Sequence, residues 1–593
     1  MFGFVMLSEV HPTVRESDAL LAELDDLRRL DLTPLKGDEP DLAYLFKHII
    51  TQEVAYSLLP SAQRASLHRA VAESIETAHI SDLARVSRDL AHHWSRAGDP
   101  EKAMFFCDLA GHDALRQGAY REAAESFEQA IKLGGVDGQL LANDTLVEWE
   151  IRLGEAYDGL SDFDQSASHF ERALALRGRP MPRSTPGWVA LLARGAFGQA
   201  LNLARPARRI GRADATDASR DVAEVCRRLS LVYYHRNEKL TTIATVILGL
   251  NVAETIDNTK YRAEFYGSAA VSCSLIGINR LGEHYLTVGT QLLAKLDDPL
   301  TATWFKQSVA WYSCGAGGNW DRAQTMIDEA LEIARAAGLR RIYDEELLVR
   351  SVSRWPDPFV VRSELWAIAR QSGAERGDTE VQIWASGIGA AAVLASGCPV
   401  DAIDLIERAL PLFRPGSTRT GYVKVYGTLC LAYLRAGRRN DAIDATHRAL
   451  QAVQEASPIL VSMFDGYANT VETCLELWSE GDDSWAQPSR SALKSLRSLA
   501  RPFNVARPRT MLFAGRIHLI KGHPRRAMRS WRHALELATR LDMPYEVGRS
   551  RAELGLLLHA RGKQPEGARH LEQARLIFEH LGAQFDLERI TPT

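Results

Sequence analysis

The sequence predicts an all-α protein, a right-handed superhelical solenoid assembled from helix hairpins. Apolar residues recur at i, i+3, i+4 and i+7 almost everywhere after Asp82, whereas alternation with period two is rare. Alanines also return at a nearly constant interval, since Ala409 to Ala449 and Ala534 to Ala574 are each 40 residues. A chain of 593 residues with such a period is expected to grow by stacking hairpins instead of dividing into unrelated domains.

The second helix of each predicted hairpin carries small and large apolar residues on one face. In REAAESFEQAIKL, Ala123, Phe127 and Ala130 are spaced by four and three and therefore share a helical face. The same signature returns along the chain with its last alanine at Ala173, Ala330, Ala409, Ala449, Ala534 and Ala574. Each well-formed first helix has a small residue where its partner should approach, at Gly111, Gly154, Gly515 and Gly555.

This pattern resembles the tetratricopeptide repeat. The match rests on Leu153, Gly154, Tyr157, Phe170 and Ala173, which fit the L-G-x2-Y, then F, then A positions of that repeat. The period near 40 exceeds the usual length of about 34, so longer helices are expected. We predict well-matched repeats in residues 81–176, degenerate helical repeats in 177–320, and tetratricopeptide-like repeats again in 321–593.

The first 80 residues have a different pattern, with two or three helices joined by a short extended piece. They contain a distinctive set of residues, namely Tyr44, Phe46, His48, Gln52, Glu53 and Tyr56. The segment from Leu42 to Leu133 resembles bacterial signal-transduction ATPases with numerous domains, notably those linked to class III adenylate and guanylate cyclases. The resemblance implies that residues 1–80 form a truncated winged-helix-like segment, and that the chain corresponds to the C-terminal half of such a protein.

Nothing in the sequence predicts catalysis by this chain itself. A P-loop requires G-x-x-x-x-G-K-[ST], because glycine amides wrap the phosphates while the lysine and hydroxyl reach the terminal phosphate and magnesium. The sequence has no such string, and it lacks the strand pattern of a cyclase. We therefore predict that the chain is not an enzyme and needs neither a cofactor nor a metal.

Three groups of residues are candidates for function. The resemblance implies that a winged-helix histidine senses a nucleotide phosphate of the neighbouring module, and His48 occupies that position. The alternative, which we favour, is that His48 caps or packs the first helix of this segment. His92 and His93 are adjacent in sequence, so their rings leave the helix on different faces and are expected to be structural.

The second candidate is a basic region. Residues 486–535 contain twelve lysines and arginines and no acidic residue. Arg525, Arg529 and Arg532 form a stripe on one face of a second helix, opposite its apolar face, and are expected to point outward. A solvated face or intramolecular pairing is the first interpretation, an acidic protein partner the second and nucleic acid the third.

The third candidate is aromatic. Trp304, Trp311 and Trp320 form the densest tryptophan group and suggest a concave ligand pocket. Packing between hairpins is the alternative that we favour, because solenoids bury aromatic side chains between repeats.

Composition limits the remaining function classes. The chain is 46% hydrophobic and 25% charged with a formal net charge of −4, so its overall field attracts neither nucleic acid nor anionic membrane strongly. Its seven cysteines include no C-x-x-C pair. No apolar stretch is as long as the roughly 20 residues that a helix needs to span a bilayer. A reduced, cytoplasmic protein without a membrane partner is expected.

Repeat arrays usually bind proteins, peptides or small inducers. The sequence thus predicts a non-catalytic scaffold or sensor that binds a protein or small ligand and acts as the regulatory arm of a signalling ATPase or nucleotide cyclase system. One alternative is a truncated cyclase or ATPase whose nucleotide-dependent role needs a missing or partner module. Another is a transcriptional regulator associated with DNA, although a nucleic-acid partner is not expected.

Overall fold

A computed structural model describes residues 2–11, 17–36, 42–135, 142–204, 216–256, 258–316, 318–353, 357–413 and 419–591, and nearly all of them are helical. The chain divides into two compact units, residues 1–180 and 181–593, which we name unit 1 and unit 2. Both consist of consecutive antiparallel helices, so the predicted all-α helical-repeat fold is confirmed. The right-handed sense of the solenoid stays a prediction.

Unit 1 begins with a minimal antiparallel strand pair and continues as helices. In the pair, Phe2 lies opposite Tyr44 and Gly3 opposite Ala43. The elements are β1 (Phe2–Gly3), α1 (Phe4–Val10), α2 (Ser17–Arg29), β2 (Ala43–Tyr44), α3 (Ile49–Leu58), α4 (Ser61–Ala78), α5 (Leu83–Arg96), α6 (Pro100–Gln117), α7 (Tyr120–Gly135), α8 (Asn143–Gly159) and α9 (Phe163–Leu176).

Unit 2 contains the longer run of hairpins. Its helices are α10 (Thr185–Ala204), α11 (Asp217–His235), α12 (Lys239–Thr255), α13 (Thr259–Ile276), α14 (Asn279–Leu293), α15 (Pro299–Ala316), α16 (Trp320–Ala336), α17 (Arg340–Ser353), α18 (Phe359–Arg376), α19 (Thr379–Ala395), α20 (Pro399–Ala409), α21 (Arg419–Arg435), α22 (Arg439–Glu455), α23 (Phe464–Ser479), α24 (Ala486–Leu499), α25 (Ala506–Ile520), α26 (Pro524–Arg540), α27 (Pro544–Ala560), α28 (Gln564–Leu581) and α29 (Gln584–Ile590). Short 3-10 turns occupy Leu410–Leu412, Val461–Met463 and Asp483–Trp485.

Local sequence signals define the ends of these helices, as α6 illustrates. Asp99 caps the N-terminus by accepting a hydrogen bond from the backbone N–H of Lys102 at 3.1 Å, and Pro100 occupies the first turn, where its missing N–H costs nothing. Gly118 ends the helix in the left-handed conformation with φ 74°. The next helix then starts at Tyr120, so the hairpin turn is only two residues long.

The glycines of the first helices permit the close approach that the sequence predicts. A Cβ atom at Gly111 would lie 2.6 Å from the ring of Phe127, and one at Gly154 would lie 2.6 Å from the ring of Phe170. Gly515 faces Trp531 in the same way. Each aromatic residue is fully buried, so glycine is required for the large side chain of the second helix to pack.

Distant hairpins of unit 2 also contact one another. Asn237 donates a hydrogen bond to the carbonyl of Ser457 at 2.9 Å, and Trp320 donates from its indole N–H to the carbonyl of Leu541 at 2.7 Å. The partners are 220 and 221 residues apart. At about 40 residues per hairpin, they belong to hairpins five to six positions apart, so unit 2 is held together by more than nearest-neighbour stacking.

No helix within the described ranges is both long enough and apolar enough to cross a membrane.

Candidate functional site

The residues that resemble the signalling ATPases surround helix α3 of unit 1. Tyr44 in β2 is buried and packs against Leu20 and Leu24 of α2. Phe46 is half-buried in the loop that follows. His48 occupies the N-cap position of α3 without a side-chain capping hydrogen bond, and it is exposed. The tyrosine therefore anchors this segment while the histidine remains accessible.

Helix α3 exposes an apolar row to solvent. No residue of the helix is buried, and Leu58 is 78% and Ile50 69% exposed. Ile50, Val54 and Leu58 are spaced by four residues and so share one face, with Ile49 beside them. Gln52 and Glu53 lie between these residues and are exposed as well. A contiguous exposed apolar row of this kind is typical of a protein-binding surface.

The last residue of the motif leads into a cluster of histidines. The hydroxyl oxygen of Tyr56 lies 2.9 Å from Nε2 of His68, and Nδ1 of His68 lies 2.9 Å from Nδ1 of His93. The ring of His92 packs edge-on to both imidazoles. Burial, reinforced by His93 and His92, lowers the pKa of His68 to about 4, and burial together with His92 also lowers the pKa of His93.

The two facing Nδ1 atoms of His68 and His93 share one hydrogen bond, so one of them donates and the other accepts. With its pKa at about 4, His68 is neutral near pH 7. Neither His68 nor the contact of His93 with it was predicted from the sequence. His68 is 12 residues from Tyr56 and 25 from His93, and no local spacing brings the three together. In the described part of the chain, no group of three histidine, cysteine or acidic residues has the arrangement of a metal site.

The basic stripe lies on helix α26 of unit 2. Arg525, Arg529 and Arg532 are all exposed, on the face opposite the buried Trp531. Arg532 lies 3.9 Å from Glu566 of α28. Arg525 and Arg529 have no acidic partner within 4.0 Å among the described residues. Two of the three arginines are thus available to a ligand.

Two other arginines of the same basic region are not available. Arg509 and Arg516 lie on α25 with their side chains 3% and 11% exposed. Arg509 donates hydrogen bonds to Glu546 at 2.6 to 3.1 Å, and Arg516 donates to Glu553 at 2.9 Å. Both acidic residues lie on α27, the first helix of the next hairpin. Intramolecular pairing, one of the predicted interpretations, therefore applies to these two.

These pairs belong to a buried ion-pair ladder along the first helices of the last hairpins. Its members are Arg435, Glu472, Arg509, Arg516, Glu546, Arg549, Glu553 and Asp586. Glu472 is at its centre, 2.6 Å from Arg549 and within 4.0 Å of three further arginines. Burial alone would raise the pKa of Glu472, but Arg549, Arg516 and Arg435 hold it well below its usual range. Burial would likewise raise the pKa of Glu553, but Arg516 and Arg589 outweigh this effect and lower it to about 2.

The ladder has a signal in the sequence, a repeated separation between arginine and glutamate. The same separation of 37 residues recurs in three of its pairs, Arg435 with Glu472, Arg509 with Glu546, and Arg516 with Glu553. Arg227 and Glu264 repeat the same separation earlier in the unit. Residues 37 positions apart therefore lie at equivalent turns on the first helices of two successive hairpins and contact each other. An arginine followed by a glutamate 37 residues later indicates such a contact.

The three tryptophans differ in burial and lie on two helices. Trp304 and Trp311 are seven residues apart on α15, share a face and are half-buried. Trp320 is buried at the start of α16, where it donates its hydrogen bond to Leu541. Trp320 thus joins distant hairpins of unit 2.

Buried polar groups occur at and near α15. Nε1 of Trp304 is buried without a hydrogen-bond partner within the described residues. The carboxyl group of Glu346 on α17 is also buried, and the side chain of Gln307 on α15 acts on it through a hydrogen bond. Burial, with a smaller effect of Glu345, raises the pKa of Glu346 well above its usual range against an opposing hydrogen bond from Gln307, and so favours the neutral form of the carboxyl group. An unsatisfied group such as Nε1 of Trp304 is uncommon in protein interiors.

Fold and surfaces together define a helical-repeat protein with accessible surfaces for a partner. No protein-family model and no curated protein matches the sequence. Similar solved structures include a Rap protein complexed with competence and sporulation factor, which is 11% identical with a TM-score of 0.45 and aligns over 68% of this chain and 99% of its own.

Two further solved structures align with this chain at similar levels. The Cut9–Hcn1 hetero-tetramer of APC/C is 12% identical, with a TM-score of 0.39 and coverage of 92% of this chain and 99% of that chain. The apo form of the quorum sensor NprR from B. thuringiensis is 12% identical, with a TM-score of 0.41 and coverage of 61% and 100%. These values are too low to carry an inference about function.

Proposed function

We propose that this chain is a non-catalytic cytoplasmic helical-repeat protein that regulates a protein partner by binding it, and that α3 of unit 1 provides the principal contact. The observation that carries the proposal is the exposed apolar row of α3. Leaving Ile50, Val54 and Leu58 in water is unfavourable by about 25 cal/mol for each Å² of apolar surface. Covering the row with an apolar surface of a partner removes that cost.

The sequence around α3 supports a particular class of partner. Tyr44, Phe46, His48, Gln52, Glu53 and Tyr56 resemble the signalling ATPases linked to nucleotide cyclases, and the apolar row lies within this same segment. We propose a P-loop ATPase or cyclase module as the partner, with this chain as its regulatory arm. In such a complex the exposed His48 is close to the interface, where an imidazole can contact a nucleotide phosphate of the neighbouring module.

Affinity capture from the native cytosol tests this proposal. The tagged full chain is incubated with nuclease-treated extract, and co-purifying proteins are identified by mass spectrometry. Wild type is compared with Ile50→Asp/Val54→Asp, and with Ile80→Asp as the matched control, because Ile80 is an exposed apolar residue of the same unit outside α3.

We expect wild type and the Ile80 variant to recover a P-loop or cyclase polypeptide, and the α3 double variant to recover about tenfold less, because two charges enter an apolar interface. Recovery of no such polypeptide, or equal recovery by the double variant, would contradict the proposal. Binding of an ATP analogue by the isolated chain would instead favour the nucleotide-dependent alternative. Salt-sensitive DNA binding would favour the transcriptional one.

A second candidate function, sensing of a small ligand, is favoured by the unpartnered buried Nε1 of Trp304 and by the buried carboxyl group of Glu346. A small polar ligand with hydrogen-bond acceptors would pair with Nε1 of Trp304 and with the protonated form of Glu346, which burial favours. The test is thermal stabilisation of wild type by a panel of neutral polar metabolites. We expect a hit to lose its effect in Glu346→Leu, and an undiminished effect would exclude this site.

A further inference from the structure

A basic cavity lies beside the predicted arginine stripe. It has a volume of about 440 Å³ and is enclosed by α24, the segment that follows it, and helices α25 and α26. Arg497, Arg501, Arg507 and His533 line it. The apolar part of its lining comes from Ala500, Met511 and Leu537. The cavity thus combines several cationic groups with a short apolar wall.

The three arginines of this cavity have no acidic partner within 4.0 Å in the described part of the chain. Arg497 and Arg501 are exposed and make no ion pair with any described acidic residue. Arg507 donates from Nε to the carbonyl of Ala500 at 3.2 Å, which fixes its guanidinium at the cavity. His533 lies 3.7 Å from the exposed Glu536 of the same helix. The pairing that neutralises Arg509 and Arg516 is therefore absent from this surface.

Two rows of exposed cations lead to the cavity. On and just beyond α24, Arg490, Lys494, Arg497 and Arg501 are spaced by four, three and four residues and so share one face. On α26, Arg525, Arg529 and His533 are spaced by four. Arg525 and Arg529 of the predicted stripe therefore share a helix face with His533, which lines the cavity.

We propose that this cavity binds a phosphorylated serine or threonine side chain within an acidic segment of a partner protein. A phosphate monoester carries between about 1.5 and 2 negative charges and three acceptor oxygens. It can therefore accept hydrogen bonds from three guanidinium groups more completely than a single carboxylate can, which has one charge and two oxygens. The methylene or methyl of the phosphorylated residue packs on the wall of Met511 and Leu537. Acidic residues flanking it meet the two cationic rows.

A peptide is a better fit than a nucleic acid. A nucleic-acid backbone distributes single charges along a track, whereas here three guanidinium groups surround one cavity with an apolar wall. This inference uses residues of unit 2 alone, so its outcome is independent of the α3 proposal.

Fluorescence anisotropy tests the inference on the full chain. The probe is a fluorescein-labelled peptide of glutamates and aspartates around one central phosphoserine, compared with the same peptide unphosphorylated. The variants are Arg497→Gln/Arg501→Gln and, as the matched control, Arg561→Gln, because Arg561 is an exposed arginine outside this surface. Thermal unfolding of each variant checks that it remains folded.

We expect the phosphopeptide to bind wild type about tenfold or more tightly than its unphosphorylated form, the equivalent of one charge-assisted hydrogen bond. The double variant should lose that difference, and Arg561→Gln should keep it. Equal affinity for the two peptides, or an equal loss in Arg561→Gln, would overturn the proposal. So would tighter binding of duplex DNA that depends on Arg497 and Arg501.

Discussion

Two groups of arginines in the C-terminal hairpins lie within twenty residues of each other in sequence and differ completely in environment. Arg509 and Arg516 are buried and paired with glutamates of the next hairpin, whereas Arg497 and Arg501 are exposed without an acidic partner among the described residues. The sequence around both groups is equally basic. The comparison teaches that the partner 37 residues downstream, and not local charge density, separates arginines that hold the fold from arginines available to a ligand.

The largest effect should follow from removing the centre of the buried ladder. Glu472→Gln leaves Arg549 and its neighbours without their shared counter-charge in a buried site. We expect a loss of about 3–5 kcal/mol in the free energy of unfolding, because breaking one side of a buried pair strands the other charge. Urea unfolding followed by circular dichroism measures it.

Glu480→Gln provides the control for that variant. Glu480 likewise forms an ion pair, with Arg439, but the side chains of both residues are nearly half exposed. An exposed pair contributes about 0–1 kcal/mol. If the two variants lose the same stability, the distinction between buried and exposed ion pairs in this unit is wrong.

A smaller effect should come from the close approach of paired helices, which stabilises the hairpins without charge. Gly154→Val introduces a branched side chain where even a Cβ atom lies 2.6 Å from Phe170. We expect a loss of about 1–3 kcal/mol from overpacking, read from thermal unfolding. Gly135→Ala, with open space around it, should be neutral or slightly stabilising. A harmless Gly154→Val would mean that the hairpin tolerates separation.

The pH dependence should distinguish the ladder of unit 2 from the histidine cluster of unit 1. The folded-state pKa of Glu553 is about 2 against 4.5, so its contribution is complete above pH 4.5 and disappears as pH falls towards 2. The folded-state pKa of His68 is about 4 against 6.5, and the unfolded chain therefore binds more protons between these values. Stability from His68 is lost as pH falls from 6.5 to 4.

Unfolding free energies of wild type, Glu553→Gln and His68→Asn across pH 2.5 to 7.5 test these windows. The difference between wild type and Glu553→Gln should change below pH 4.5, and the difference for His68→Asn between pH 6.5 and 4. A difference that does not vary with pH would contradict the assigned pKa shift of that residue.

The sequence predicts the repeating architecture well and the sites less completely. Helical periodicity, alanine spacing and the glycines opposite Phe127 and Phe170 are local patterns, and they identify the hairpins directly. The histidine cluster and the contact of Trp320 with Leu541 depend on residues brought together by folding, over as many as 221 positions. No local periodicity encodes them.

The candidate surfaces show the same division. The basic region of residues 486–535 is recognisable because twelve lysines and arginines without an acidic residue stand out in the sequence. The structure divides this region, because Arg509 and Arg516 belong to the buried ladder whereas Arg497, Arg501 and Arg507 line the cavity. The apolar row of α3 is a further case, since periodicity shows an amphipathic helix but not which neighbours cover it.

One side-by-side measurement tests most directly whether the two groups of arginines have different roles. Urea unfolding of Arg516→Gln and Arg497→Gln under identical conditions compares a ladder arginine with a cavity arginine, and both substitutions remove the same charge. We expect Arg516→Gln to lose more than about 2 kcal/mol, because Glu553 and Glu472 lose a buried partner, and Arg497→Gln to stay within about 0.5 kcal/mol of wild type. Equal losses, or a larger loss for Arg497→Gln, would contradict the division between structural and ligand-binding charge.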